Sequence, residues 1–176
     1  LADLMLEARP SVDAAIINGG GIRASLPEGP LTYGTLYEAF PFDNRFAVVE
    51  LTASRFARVL AGNLRHDGGI LSVAGLRAVA RCKDGELSIE LRREDGGAVD
   101  SDAELTVLAS DYLVTGGDDA LTEAIADGAS STIEEGEPLR DVLASHLSER
   151  GGTLEPDAHF DPEQPRRSAL RRFVVE

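Results

Sequence analysis

The chain has 176 residues, 43% hydrophobic and 27% charged, enough apolar material for one buried core and a single domain. Acidic side chains number 31 against 17 basic ones, and the formal charge of -14 opposes nonspecific nucleic-acid binding while permitting a local arginine site for a small anion. No apolar run reaches the roughly 20 residues that span a bilayer as a helix, no signal-peptide pattern is present, and the single cysteine, Cys82, excludes an intrachain disulfide.

Residues 1–8 read as the end of a helix, with Leu1, Met5 and Ala8 on one face and Pro10 as the stop. A helical start at Leu1 is expected to belong to the interior of a larger protein. Residues 12–17 are apolar without alternation, which predicts a buried central strand. It leads into Asn18-Gly19-Gly20-Gly21-Ile22-Arg23, where the glycines let the backbone approach a ligand and the guanidinium supplies a permanent cation. A structural turn with a surface arginine is the plainer reading of the same residues.

Thr32 is a plausible N-cap for a short helix over residues 33–39, ended by Pro41. Residues 45–51 read as a strand, and Thr52 caps a helix through Leu64 whose Phe56, Val59, Leu60 and Leu64 recur at helical spacing. Two strands, 76–81 and 87–91, flank the hairpin signal Lys83-Asp84-Gly85. A further buried strand, 105–110, delivers the chain into Asp111-Tyr112-Leu113-Val114-Thr115-Gly116-Gly117-Asp118-Asp119, read as a glycine loop. A short helix over 120–126, with Asp119 as its N-cap, and a helix from Pro138 to a stop at Gly151-Gly152 complete a domain of residues 1–155. Residues 156–176 are expected to be a peripheral tail. The fold class is α+β (mixed α/β), and two strand-to-glycine-loop transitions, at Asn18 and Thr115, are placed to converge at one sheet edge where ligands collect.

With these motifs, Pro41-Phe42-Asp43-Asn44 and Gly68-Gly69 before Val73-Ala74-Gly75, the chain resembles the C-terminal domain of the bacterial 5'-nucleotidase family, which includes UDP-sugar hydrolases and 2',3'-cyclic-nucleotide phosphodiesterases. The likeness runs from Leu1 to about Leu147, and it implies a mixed sheet with flanking helices. It further implies that this domain recognises substrate, while a separate N-terminal metallophosphoesterase domain holds two divalent metal ions and hydrolyses the ester. On that resemblance Phe42 and Tyr112 clamp a nucleobase, Asn18 and Asn44 touch its edge, Asp118 accepts from ribose hydroxyls, and Arg23 engages the phosphate. Gly20, Gly21, Gly69 and Gly117 are matched backbone positions of the site. The expected partners are a nucleotide or nucleoside and the N-terminal domain, with no nucleic acid and no membrane span. The expected location is periplasmic or extracellular.

Each role has a plainer counterpart. Phe42 after Pro41 also suits a core anchor, Tyr112 a rim tyrosine, Asn44 a turn, and Asp118 a helix cap. Phe40, Phe46 and Phe56 read as core. Tyr112 departs from the phenylalanine usual in the family, adding a hydroxyl that needs a partner. His66, His146 and His159 are scattered, and none stands in an arrangement that holds two metals, so neither a catalytic residue nor a metal ligand is expected in this chain. Cys82, Ser72 and Ser110 lack the setting of a nucleophile. The alternative function is a stand-alone nucleotide-binding module with no catalytic partner.

Overall fold

The computed structural model describes residues 1–65, 71–151, 154–155 and 167–168. Helix α1 (Ala2–Ala8) leads to strand β1 (Ala14–Asn18), followed by α2 (Tyr33–Ala39), β2 (Phe46–Thr52) and α3 (Ala53–Arg65). Then come β3 (Leu71–Ala74), the hairpin β4 (Leu76–Lys83) and β5 (Glu86–Arg93), and β6 (Glu104–Ser110). Three helices, α4 (Asp111–Val114), α5 (Thr122–Ala126) and α6 (Leu139–Arg150), surround β7 (Ser130–Ile133), and Arg167–Ser168 forms β8.

Among the described residues the strands make two sheets, a five-stranded one in the order β3-β1-β6-β2-β7 and a three-stranded one in the order β5-β4-β8. In the larger sheet β1 and β6 are parallel, and every other pair is antiparallel. The architecture is a mixed α/β fold with flanking helices.

All five β1 residues are buried because both faces of the sheet are covered, which is why this strand shows no alternation. Ala14 and Ile16 join Val49, Leu51, Val107 and the α3 residues Phe56, Val59 and Leu60 in one core. Ala15 and Ile17 face the opposite way, into a second core with Met5 of α1, Leu36 of α2 and Leu139 and Leu143 of α6. Phe46 and Phe56, each at most 1% exposed, anchor the two cores, and burying a side chain of this size stabilises by roughly 1.5–3 kcal/mol.

Local signals account for the helix ends. Thr32 and Thr35 form a reciprocal capping box at the start of α2, and the Thr52 hydroxyl accepts from the Arg55 N–H at the start of α3. The hairpin turns at Asp84 and Gly85, both with positive φ. Strands β3 and β7 were not expected. Strand β7, Ser-Ser-Thr-Ile, is a mostly exposed edge strand with no apolar pattern to reveal it. The expected glycine loop after β6 begins instead as the one-turn helix α4, because the Ser110 side chain caps it by accepting from Leu113 N–H. Asp119 does not cap α5. It and Asp118 both adopt positive φ in a tight turn, α5 starts later with Leu121 at its cap, and the Asp119 carboxylate accepts from the Thr122 hydroxyl instead. Of the expected tail, Arg167–Ser168 pairs with β4 and the remainder lies outside the described residues.

Gly75 carries the chain from the larger sheet into the hairpin with φ +82°, and a Cβ there would overlap the Asp13 carbonyl oxygen. Gly85 has a similar φ, +80°, in open space. Gly75→Ala is therefore expected to lower stability by more than about 2 kcal/mol, and Gly85→Ala by about 1 kcal/mol. Urea unfolding of the two variants checks this, and equal losses would contradict the close approach.

Candidate functional site

The topology decides where a site can form. Parallel pairing of β1 with β6 brings their carboxyl ends, Asn18 and Ser110, to one edge of the sheet. Strand β2 runs antiparallel to β6 with Phe46 opposite Ser110, so the segment entering β2, which carries Phe42 and Asn44, arrives at that same edge. Three connections from distant parts of the chain thus enclose a cavity of about 210 Å³.

Eight residues read from the sequence as ligand contacts line it: Asn18, Gly20, Gly21 and Arg23 after β1, Phe42 and Asn44 before β2, Tyr112 and Asp118 after β6. Gly117 is not in the lining but lies tight against Tyr112, where a Cβ would overlap the ring. Gly69 lies outside the described residues, as do His66 and His159. Five lining residues had no signal in the sequence reading: Ile17, Phe40, Ser110, Leu139 and Arg140.

Asp118 is the hub of the polar wall. At φ +54° its carboxylate takes one hydrogen bond on each oxygen, from the Asn18 amide at 2.8 Å and from the Tyr112 hydroxyl at 2.8 Å. Asn18 is buried, so this bond satisfies an amide that would otherwise be costly to desolvate. The Asp118 hydrogen bond also raises the Tyr112 pKa above its ordinary value, because ionising the hydroxyl would lose that bond and set a phenolate against a carboxylate. A carboxylate held this way retains further acceptor positions and repels anions.

Asn44 is tied into the frame. Its amide donates to Asp111 at 2.8 Å, and the same Asp111 oxygen accepts from the Tyr112 N–H, which joins the segment before β2 to the start of α4. Among the described residues the side-chain oxygen of Asn44 has no donor, so that atom is the one available to a ligand.

Phe42 and Tyr112 are each 42% exposed on the shared cavity. They do not form an aromatic clamp. The Arg23 guanidinium stands over the Phe42 ring, 5.2 Å from its centre, where the ring's electron-rich face attracts a cation. Arg23 makes no ion pair among the described residues, although its backbone N–H is fixed to the Ala39 carbonyl.

The second arginine is its opposite. The Arg140 side chain is 5% exposed. It donates to the Phe40 and Phe42 carbonyls, the Asp43 carboxylate and the Tyr33 hydroxyl. Burial works against its charge, yet the hydrogen bonds to Asp43 and Tyr33 outweigh that and hold its pKa above the ordinary value. Arg140 follows the apolar Leu139 at the start of α6, and helical periodicity alone gives it no mark.

Among the described residues no group of three or more His, Cys, Asp or Glu side chains is placed to hold a metal ion, and no helix is long and apolar enough to cross a membrane. His146 lies 3.4 Å from Glu7, and Cys82 is exposed on β4. The site can stack planar groups, accept hydrogen bonds at Asp118 and attract an anion at Arg23. Among the described residues no nucleophile–base pair lines it.

Fold and cavity define a mixed α/β domain whose cavity sits at the carboxyl ends of a parallel strand pair. Residues 1–126 match the family model described as 5'-nucleotidase, C-terminal domain, and the chain belongs to that family. It is 33% identical over 131 residues to the trifunctional nucleotide phosphoesterase protein YfkN of Bacillus subtilis (strain 168), covering 67% of this chain and 9% of that protein. The 5'-nucleotidase precursor of Thermus thermophilus superposes with a TM-score of 0.66 at 30% identity, covering 88% of this chain and 33% of that one. The NAD nucleotidase of Haemophilus influenzae shares the fold, with a TM-score of 0.69 at 20% identity over 85% of this chain and 29% of its own. The chain thus spans about a tenth of its curated relative and about a third of the solved structures. Helix α6 and Arg140 lie beyond the residues that match the family model.

The Tyr112–Asp118 bond gives a pH signature. A folded-state pKa raised above the unfolded value makes a contribution to stability that is complete below about pH 10 and is lost as pH rises through the folded pKa. Titration of labelled tyrosine ring carbons by NMR is expected to show Tyr112 ionising above its ordinary value, and Asp118→Ala to bring it down. A Tyr112 that titrates identically in both proteins would contradict the contact.

Proposed function

We propose that this cavity is the nucleotide-recognition site of a metal-dependent phosphohydrolase of the 5'-nucleotidase type. A nucleobase stacks against the Phe42 and Tyr112 rings once Arg23 moves from the Phe42 face to the phosphate, Asp118 accepts from the ribose hydroxyls, and the Asn44 side-chain oxygen meets the base edge. The observation that carries the reading is the convergence of two half-exposed rings, a hydrogen-bonded carboxylate and a guanidinium with no carboxylate partner among the described residues on one cavity.

The chemistry is complementary. Each aromatic platform under a base gains roughly 1–3 kcal/mol with little dependence on base identity. Asp118 suits a sugar diol and disfavours phosphate, and Arg23 has the reverse preference. A cavity of about 210 Å³ is smaller than the roughly 300–1,000 Å³ clefts that engulf a drug-sized ligand, which suits a seat for base and sugar with the phosphate projecting outward.

On the family resemblance, hydrolysis belongs to a second domain holding two divalent ions; among the described residues of this chain no group of His, Cys, Asp or Glu side chains is placed to hold a metal. The names of the relatives, a nucleotide phosphoesterase and a 5'-nucleotidase precursor, support a nucleotide as the ligand. On the family resemblance the whole protein works outside the cytoplasm.

Calorimetric titration tests the reading. Phe42→Ala and Tyr112→Ala are each expected to weaken adenosine and AMP binding by about 1–3 kcal/mol. Arg23→Ala is expected to cost AMP about 1.5–3 kcal/mol more than it costs adenosine. A folded wild-type chain that binds neither ligand at millimolar concentration would overturn the proposal.

A further inference from the structure

The segment that carries Phe42 belongs to neither helix nor strand, and Pro41 removes one of its N–H groups. Its carbonyls need partners from elsewhere. Arg140 supplies them: one terminal nitrogen donates to the Phe40 carbonyl at 3.1 Å and the Phe42 carbonyl at 3.2 Å, on either side of Pro41. Its second terminal nitrogen holds the Asp43 carboxylate at 2.8 Å. The Tyr33 hydroxyl accepts from Nε at 3.1 Å, and the guanidinium lies 4.5 Å from the centre of the Tyr37 ring. Leu139 next to it donates its backbone N–H to the Asn44 carbonyl at 2.7 Å.

We propose that Arg140, on a helix outside the family match, is a positioning residue that holds the Phe42 ring in its binding orientation before a ligand arrives. The proposal rests on the reading of Phe42 as a base platform. A side chain with almost all its donors directed into the protein is spent on the frame, which separates it from Arg23 and makes it a poor phosphate ligand. The fork of a planar guanidinium reaches two diverging carbonyls and a carboxylate at once, whereas a lysine ammonium is a point charge that cannot match all three. Holding the platform in advance removes the ordering cost that a mobile ring would impose on binding.

The effect is read by a double-mutant cycle on the full chain with adenosine as the probe. Arg140→Met is expected to weaken binding by roughly 5- to 150-fold, the range set by loss of one stacking platform. In a Phe42→Ala background the same change is expected to cost less than about 2-fold, because the ring it positions is gone. Arg140→Lys keeps the charge and is expected to recover only part of the affinity. It also carries the comparison if the methionine variant fails to fold.

Amide hydrogen exchange without ligand gives a second reading. Asp43 and Asn44 are expected to exchange at least about 10-fold faster in the variant, with β1 and β6 unchanged. Unaltered binding in a folded Arg140→Met protein, or an equal loss with and without Phe42, would overturn the assignment. If the wild-type chain binds no adenosine, the base-platform reading has failed, and exchange alone decides whether Arg140 fixes the segment: unchanged rates at residues 43–44 refute it.

Discussion

Parallel pairing of β1 with β6 is the constraint from which the rest of this molecule follows. Ala14 opposite Val107 and Ala15 opposite Leu108 fix the register, and a parallel pair must send both chains out of the same edge. The glycine loop after Asn18 and the Tyr112–Asp118 segment are therefore neighbours although they lie far apart in sequence. Burial on both faces specifies that register strongly, since a one-residue slip would exchange the residues committed to the two cores. The antiparallel approach of β2 then adds Phe42 and Asn44 to the edge without any further device.

On this frame the charged groups divide into those the protein consumes and those it leaves for chemistry. Arg140 is buried, with four hydrogen bonds holding it in the frame. Arg23 rests on an aromatic face, a contact worth about 0.5–1 kcal/mol at an exposed site and weak enough to yield to a stronger anionic partner. Asp118 stands between these cases, fixed by Asn18 and Tyr112 yet still open to further donors. The tyrosine hydroxyl, an addition relative to the phenylalanine usual in the family, thus finds its partner in the residue read as the ribose acceptor.

Much of this was legible from the residues. Short-range signals placed α2 and its Thr32 cap, the Asp84-Gly85 hairpin, and the buried strands around Ile16 and Val107, because capping, turn chemistry and apolar runs are local properties. The three loops that line the cavity were legible because glycines cluster where the backbone turns tightly and exposed aromatics stand out beside them. What escaped depends on long-range pairing. Strand β7 is polar and exists because β2 offers it an edge. Asp119 sits at positive φ in the same tight turn as Asp118, and α5 starts beyond it at Leu121. Arg140 reads as an ordinary helical charge until α6 packs against α2 and buries it. The rings were expected to face each other, and the attraction of Arg23 for the Phe42 face is not visible in the spacing of those residues.

The central claim is that a nucleobase sits against Phe42 and Tyr112, and its most direct measurement is intermolecular NMR contact. In the chain saturated with AMP, nuclear Overhauser effects from the adenine H2 and H8 protons to ring protons of both Phe42 and Tyr112 are the predicted result. Adenine contacts confined to other residues, such as those of the apolar groove around Leu4, Ile22 and Leu26, would contradict it.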